Sequence, residues 1–262
     1  MTLAEFRALA RPRLAAIDAP AIEADWLWQH AGEGALALLT RREAGEPLQY
    51  LLGSAPFADL MLACRPGVLI PREDTACLVL AALPCAPARP LRVLDLCAGS
   101  GCMGLLFAHH RPDCALTFAD ISPDALALCR DNAAACVRDA EFVASDVFST
   151  LPGTWDVILC NPPYIPTTDL PALTPEVRAE PSLALDGGGD GLDLMRRIIA
   201  QAPEHLAPGG LLVLEHGDGQ TGIVGNLLAA AGFARRQVIE DLAGLPRGYV
   251  CMLTEFTSEP RD

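Results

Sequence analysis

No lysine occurs in the 262 residues, so all 19 basic residues are arginines, set against 33 aspartates and glutamates. A formal charge of −14 makes a surface that repels a phosphate backbone. Direct binding to DNA or RNA is therefore not expected, whereas a protein or small-molecule substrate is compatible. Aromatic residues are scarce at 5%, with three tyrosines and three tryptophans. Long apolar runs are missing as well: none approaches the ~18–20 residues that cross a bilayer, so no membrane segment is expected. Residues 1–20 carry Glu5, Asp18 and scattered arginines without an apolar centre, which counts against a secretory signal and points to the cytoplasm. The ten cysteines contain no C-x-x-C pair and the five histidines no H-E-x-x-H spacing. Neither a disulfide framework nor a metal site is expected, and the thiols read as reduced and buried.

What is present is apolar residue in quantity, 51% of the chain, enough for one sizeable core and a small appendage. Residues 1–53 read as helical: Leu3, Phe6 and Leu9 recur at helical spacing, a second segment starts near Ile22 and Trp26, and Leu36 to Arg42 suits a third. Trp26 and Trp28 read as packing residues. Residues 54–90 read as a hairpin around Phe57, Leu60 and Leu62, then a helix from Ala76 to Leu83 capped by Asp74 or Thr75, then a stiff linker at Pro84, Pro87 and Pro90. From residue 91 to 262 strands and helices alternate. Strands are expected at Val93–Leu96, Leu116–Asp120, Phe142-Val143 and Val157–Leu159, with further segments at Pro203 to Leu206 and Gly210 to Leu214. A helix near Gly222 to Ala231 and strands at Val238 and Tyr249 to Leu253 follow. That alternation predicts an α/β, doubly wound sheet.

Val157-Ile158-Leu159-Cys160-Asn161-Pro162-Pro163-Tyr164 organises this domain. Its apolar run is continuous rather than alternating, as in a buried parallel strand, and the two prolines end it. Asn161 is thereby placed at the carboxyl edge of a central strand, where open α/β sheets bind ligands. The Asn161 side-chain oxygen and the Pro162 carbonyl can both accept hydrogen bonds from one planar –NH2 group, and a prolyl nitrogen offers no competing donor. The Tyr164 ring can pack behind that group. By itself the motif also fits a strand-terminating turn with a buried tyrosine, so a neighbouring cofactor site decides its meaning.

Such a site is indicated by Asp95-x-x-x-Gly99-x-Gly101 and by Asp120 at the end of the next strand. The glycines allow close backbone approach, Asp120 suits two ribose hydroxyls, and Asp146 an adenine amino group. Gly99-Ser100-Gly101-Cys102-Met103-Gly104 also satisfies the dinucleotide pattern G-x-G-x-x-G. An acid at Asp95 suits the cationic end of a ligand better than a pyrophosphate, which favours S-adenosylmethionine over a nicotinamide. Gly188 to Leu194 fits one calcium-binding nonapeptide, which needs stacked neighbours, so a helix-entry loop is expected. Glu215 and His216 end a strand near the site and read as a hydrogen-bonded turn.

Asp95-Leu96-Cys97-Ala98-Gly99-Ser100-Gly101, Asp120-Ile121-Ser122-Pro123-Asp124 and Asn161-Pro162-Pro163-Tyr164-Ile165 resemble the protein-glutamine N5-methyltransferases. The likeness continues through Gly45 to Gly53, Leu69 to Thr75, Glu180-Pro181, Gly189 to Leu192 and Leu214 to Gly217. The early segments and Asp241 to Arg247 resemble the peptide chain release factor enzymes, while Leu96-Cys97 and Gly101-Cys102 are closer to the ribosomal protein L3 enzymes. The resemblance implies a class I, S-adenosylmethionine-dependent, Rossmann-like fold with a seven-stranded sheet, and a monomer. It implies as substrate the glutamine of the Gly-Gly-Gln loop of a class 1 release factor, recognised with help from the small helical domain. By position it assigns Cys97, Ala98, Gly99, Ser100, Gly101, Asp120, Asp146, Val147 and Asn161 to the cofactor, beside Asp95, and Asn161, Pro162, Pro163 and Tyr164 to the glutamine amide. Cys97 stands where glycine is usual, Ala76 where an acid is usual, Val147 where an aromatic is frequent, and the helical domain is shorter. Rival expectations are glutamine methylation of ribosomal protein L3, methylation of the exocyclic adenine amine, where Asn-Pro-Pro-Tyr also recurs, and a catalytically weak binder.

Overall fold

The computed structural model describes residues 1–136 and 140–253. Thr2 starts the first helix, α1 (Leu3–Ala15), with a reciprocal cap: its hydroxyl accepts from the Glu5 N–H while the Glu5 carboxylate accepts from the Thr2 N–H. The buried stripe of α1 is Phe6, Ala10 and Leu14, and Leu9 lies outside. The stripe thus advances by four residues rather than the three expected from Leu3, Phe6 and Leu9. Helices α2 (Glu23–Ala31), α3 (Ala35–Glu43) and the unanticipated short α4 (Leu48–Leu52) close a small core of Phe6, Leu14, Leu27, Leu39 and Leu48. Trp28 packs on Phe6 with ring centroids 5.5 Å apart, but Trp26 is 43% exposed and is not the packing residue expected.

Strands β1 (Ser54–Phe57) and β2 (Leu60–Ala63) form the antiparallel hairpin. Helix α5 (Glu73–Ala82) begins before Ala76, with Arg72 at its N-cap, so Asp74 and Thr75 lie in its first turn instead of capping it. Thr75 is thereby released for a different partner.

The chain then runs β3 (Arg92–Leu96), α6 (Cys102–His110), β4 (Ala115–Asp120), α7 (Pro123–Cys136), β5 (Ala140–Ala144), β6 (Trp155–Cys160), α8 (Pro175–Arg178), α9 (Asp193–His205), β7 (Leu206–Glu215), α10 (Thr221–Ala230), β8 (Phe233–Glu240) and β9 (Pro246–Leu253). These described strands form a seven-stranded sheet of order β5-β4-β3-β6-β7-β9-β8, parallel through β7 and antiparallel at β9. One face buries Leu78, Leu105, Phe107 and Phe118, and the other buries Met195, Ile198, Val224 and Leu228. Helix α9 follows the helix-entry loop expected at Gly188 to Leu194, but its extent was not expected: Met195, Ile198, Ile199 and Ala202 show the helical period, and Pro203 is tolerated in its final turn. At the linker the buried Asp156 accepts from the Arg92 N–H at 2.7 Å and from Arg89 at 2.6 Å, which docks that segment on β6. All ten cysteines are free; Cys64, Cys129, Cys160 and Cys251 are buried as expected, but Cys85 and Cys136 are exposed.

Candidate active site

Successive strands run outward from β3 in one direction and from β6 in the other, so the chain order reverses between them. That switch point is where this architecture opens a crevice. Leu96 pairs with Cys160 across it, so the loop after β3 and Asn161 after β6 leave adjacent strand ends. Together they line a cleft of about 430 Å³, within the range of small-molecule sites. Asp95, Cys97, Ala98, Gly99, Ser100, Asp120, Asp146, Val147, Asn161 and Pro163 all border it. Gly101 does not: it has φ 80° at the N-cap of α6, and a Cβ there would stand 2.6 Å from Cys129 Sγ. Its role is to let the loop turn into the helix.

The acids are held in different ways. Asp120 Oδ2 accepts from the Gly99 N–H at 2.9 Å and Oδ1 from the Ser122 N–H at 2.8 Å, which fixes the carboxylate while each oxygen keeps a further lone pair. Burial raises its pKa. Asp95 is buried and accepts from the Gly104 N–H at 2.8 Å. Burial lifts its pKa to about 8, with the Gly104 N–H acting the other way and Asp120 adding to the rise. Asp146 is engaged by Arg197 at 2.9 Å on the open side. Because Asp95 is protonated in the folded chain up to about pH 8 and ionises near 4 when unfolded, it contributes stability below the unfolded value that is lost as pH rises through the folded one. The melting temperature of the cofactor-free protein is expected to fall by several degrees from pH 5 to 8, and Asp95→Asn to flatten that slope; calorimetry across this window gives the answer.

Cys97 and Val147, which both line the cleft, have left-handed backbone at φ 57° and 53°. A side chain is strained in that region, which gives a physical reason for glycine being usual at position 97. Cys97→Val is expected to lower stability by about 1–2 kcal/mol, whereas Cys97→Gly leaves it level or slightly higher, as thermal unfolding would register.

Asn161 donates from Nδ2 to the Thr75 hydroxyl oxygen at 3.3 Å, and its Oδ1 makes no hydrogen bond among the described residues. A second cavity of about 100 Å³ also borders Asn161, lined further by Leu69, Arg72, Tyr164, Val177 and Leu185. Asn161 therefore borders both spaces. The four motif residues divide: Pro163 borders the large cleft, Tyr164 the small cavity, and Pro162 is buried and borders neither.

Supporting residues not anticipated from sequence are Thr75, Glu215, Arg72 and Glu180. The Tyr164 hydroxyl donates to Glu215 Oε1 at 3.3 Å, and burial raises the Glu215 pKa to about 7 despite the Thr75 and Tyr164 hydroxyls. No well-aligned partner reaches Glu215 Oε2 among the described residues, so the Thr75 contact with this carboxylate is the looser of the two. Glu180 Oε2 accepts from the Ile70 N–H at 2.8 Å, and its other oxygen pairs with Arg72. The resemblance marked Glu180-Pro181 and Leu214 to Gly217 as segments, but only the fold brings these acids to the motif. Beyond Tyr164, the excursion 166–185 is closed at its base: the Ile165 N–H donates to Leu185 O at 2.9 Å, Gly187 N–H to Ile165 O at 2.8 Å, and Thr167 N–H to Gly188 O at 2.9 Å. Asp190, in the calcium-like stretch, pairs with Arg196.

A glycine loop and strand-end acid beside an Asn-Pro-Pro-Tyr corner, on this strand order, define a class I methyltransferase. The Methyltransferase small domain family matches residues 70–190. A methyltransferase of solved structure from Pyrococcus furiosus superposes with a TM-score of 0.56 at 16% identity, covering 74% of this chain and 89% of that one, and shares the fold. The release factor glutamine methyltransferase of Geobacter sulfurreducens is 43% identical over 212 residues, covering 80% of this chain and 74% of the relative. That of Moorella thermoacetica is 41% identical over 222 residues, covering 83% and 78%. The chain belongs to the release factor glutamine methyltransferase family.

Proposed function

We propose that the protein transfers a methyl group from S-adenosylmethionine to the side-chain amide nitrogen of the glutamine in the Gly-Gly-Gln loop of a class 1 peptide chain release factor. The residues present fit the cofactor. The cleft is large enough, Asp120 suits a ribose, Asp95 suits a cationic end whose charge would draw its carboxyl back to the ionised form, and a Cβ built on Gly99 would meet only open space. Asp95 and the 97–100 loop would hold the amino-acid part, Asp120 the ribose, and Asp146 with Val147 the adenine. When bound, the cofactor supplies an electrophilic methyl on a sulfonium.

The protein's task is then to present a weak nucleophile, because an amide lone pair is delocalised into its carbonyl. Asn161 Oδ1 and the Pro162 carbonyl accept from the two N–H bonds of the glutamine amide. They favour a pyramidal nitrogen and turn its lone pair toward the large cleft. Positioning supplies most of the acceleration, and no strong base is needed before attack. One observation carries this reading: Asn161, which borders both cavities, spends its NH2 on Thr75 and keeps its acceptor free of hydrogen bonds among the described residues.

Helices α1–α4 serve substrate recognition in this scheme, and the enzyme works as a cytoplasmic monomer. The charge of −14 opposes nucleic acid as the acceptor. Incubation with labelled cofactor, a release factor and ribosomal protein L3, followed by peptide mass spectrometry, is expected to put one methyl on the Gly-Gly-Gln glutamine. Label on L3 alone, or on neither, would reject the assignment.

A further inference from the structure

Glu215 lies outside the Asn-Pro-Pro-Tyr motif, yet it bonds Tyr164 of the motif and neighbours Thr75, the partner of Asn161. At neutral or higher pH an ionised carboxylate can only accept hydrogen bonds. The Tyr164 hydroxyl donates to it at 3.3 Å, and the Thr75 hydroxyl faces it from the first turn of α5. A hydroxyl whose proton points at Glu215 presents its oxygen lone pairs to Asn161, and Nδ2 is the atom found there, at 3.3 Å. The alternative carboxamide orientation would turn Oδ1 to Thr75 and aim the NH2 at the substrate, where two donors would oppose one another.

We infer that Glu215 is a positioning residue that, when ionised, fixes the polarity of the chain Glu215–Thr75–Asn161, so that Asn161 offers its oxygen rather than its NH2 to the glutamine amide. This rests on the methyl-transfer assignment above. Glutamine at position 215 can donate to Thr75; the threonine proton then rotates toward Asn161 and the carboxamide reverses. Protonation of Glu215 has the same effect, and burial brings its pKa to about 7, inside the working range. The groups facing it are Thr75 and Asp74 on α5, Tyr164 beyond β6, Arg247 on β9 and Cys102 on α6, with His216 next in sequence. Arg247 favours the ionised form and Asp74 disfavours it.

Glu215→Gln is expected to lower kcat at pH 8 on the order of 100-fold, as for a misplaced reacting group. The affinity for S-adenosylhomocysteine should stay within a few-fold. Melting temperature should hold or rise, since the replacement removes a buried charge of the same shape. Wild-type kcat should climb through about pH 7, and the variant should lack that limb. Thr75→Val should reproduce the loss and Thr75→Ser should recover activity, which separates hydroxyl chemistry from packing. In the cofactor-free, 15N-labelled protein the Asn161 side-chain NH2 signals should titrate near pH 7 and stand still in Glu215→Gln. That measurement needs no turnover, so it judges the relay even if wild-type enzyme leaves release factor unmethylated, a result that would count against the substrate assignment instead. Wild-type kcat in Glu215→Gln, a matching loss of melting temperature and cofactor affinity, or Asn161 signals indifferent to pH would each overturn the inference.

Discussion

Asn161→Ala is expected to reduce methyl transfer by on the order of 10³-fold or more while S-adenosylmethionine binds within a few-fold of its normal affinity. Removing one preorganised hydrogen-bond partner in a shielded site costs roughly 10²–10³ in rate. Here the loss falls on a nucleophile that has no lone pair to offer without it. The Pro162 carbonyl alone leaves the amide free to rotate and regain planarity. The cofactor depends much less on this side chain, since Asp95, Asp120 and the 97–100 loop line its cleft from other strands. Single-turnover methylation with labelled cofactor, set beside calorimetric titration, separates the two. Equal losses in both would make Asn161 part of the cofactor wall only.

Arg42→Ala is expected to release the helical cap from the rest of the protein. The guanidinium is 4% exposed and holds the equally buried Glu23 at 2.7 Å, and it reaches Glu176 of α8, also at 2.7 Å. Truncating one member of a buried pair leaves the other charge stranded, at about 3–5 kcal/mol. Early exchange of backbone amides in α1–α4 should mark the release, with KM for the release factor rising more than kcat falls. The double replacement Arg42→Met with Glu23→Met should regain much of the stability, because two apolar side chains leave no stranded charge, yet it should not restore KM. An unchanged melting temperature in the single variant would show that the pair is not what secures the cap.

The sheet was legible because βα repetition leaves strong local marks: continuous apolar runs, Gly99 and Gly101 after the first, Asp120 after the second, and prolines closing the run at Asn161. Those marks also placed most of the site, since adjacent strand ends bring their loops together whatever the details. Amphipathic faces were less secure. Leu9 and Phe6 are both apolar, and only packing against α2 and α3 decides that Ala10 and Leu14 complete the stripe. Thr75 resembled a cap because threonine often is one, but the helix starts earlier and its hydroxyl serves Asn161. The extent of helix α9 was obscured by Pro203, which breaks helices when central and does not in a last turn. Glu215 could be placed at a strand end near the site but its role could not, since its partners lie 51 and 140 positions away in the sequence.

The hydrogen bonds that join Ile165, Thr167, Leu185, Gly187 and Gly188 act as a hem across the base of the 166–185 excursion. What hangs below a hem can be lengthened without moving the garment above it. Closing a longer flexible stretch costs only about 0.6 kcal/mol for each doubling. Residues 168–173 are thus free to change in number and kind, reshaping the approach to the small cavity for a different protein surface, while Glu176 and Glu180 keep their pairs with Arg42 and Arg72 and the geometry at Asn161 stays as it is.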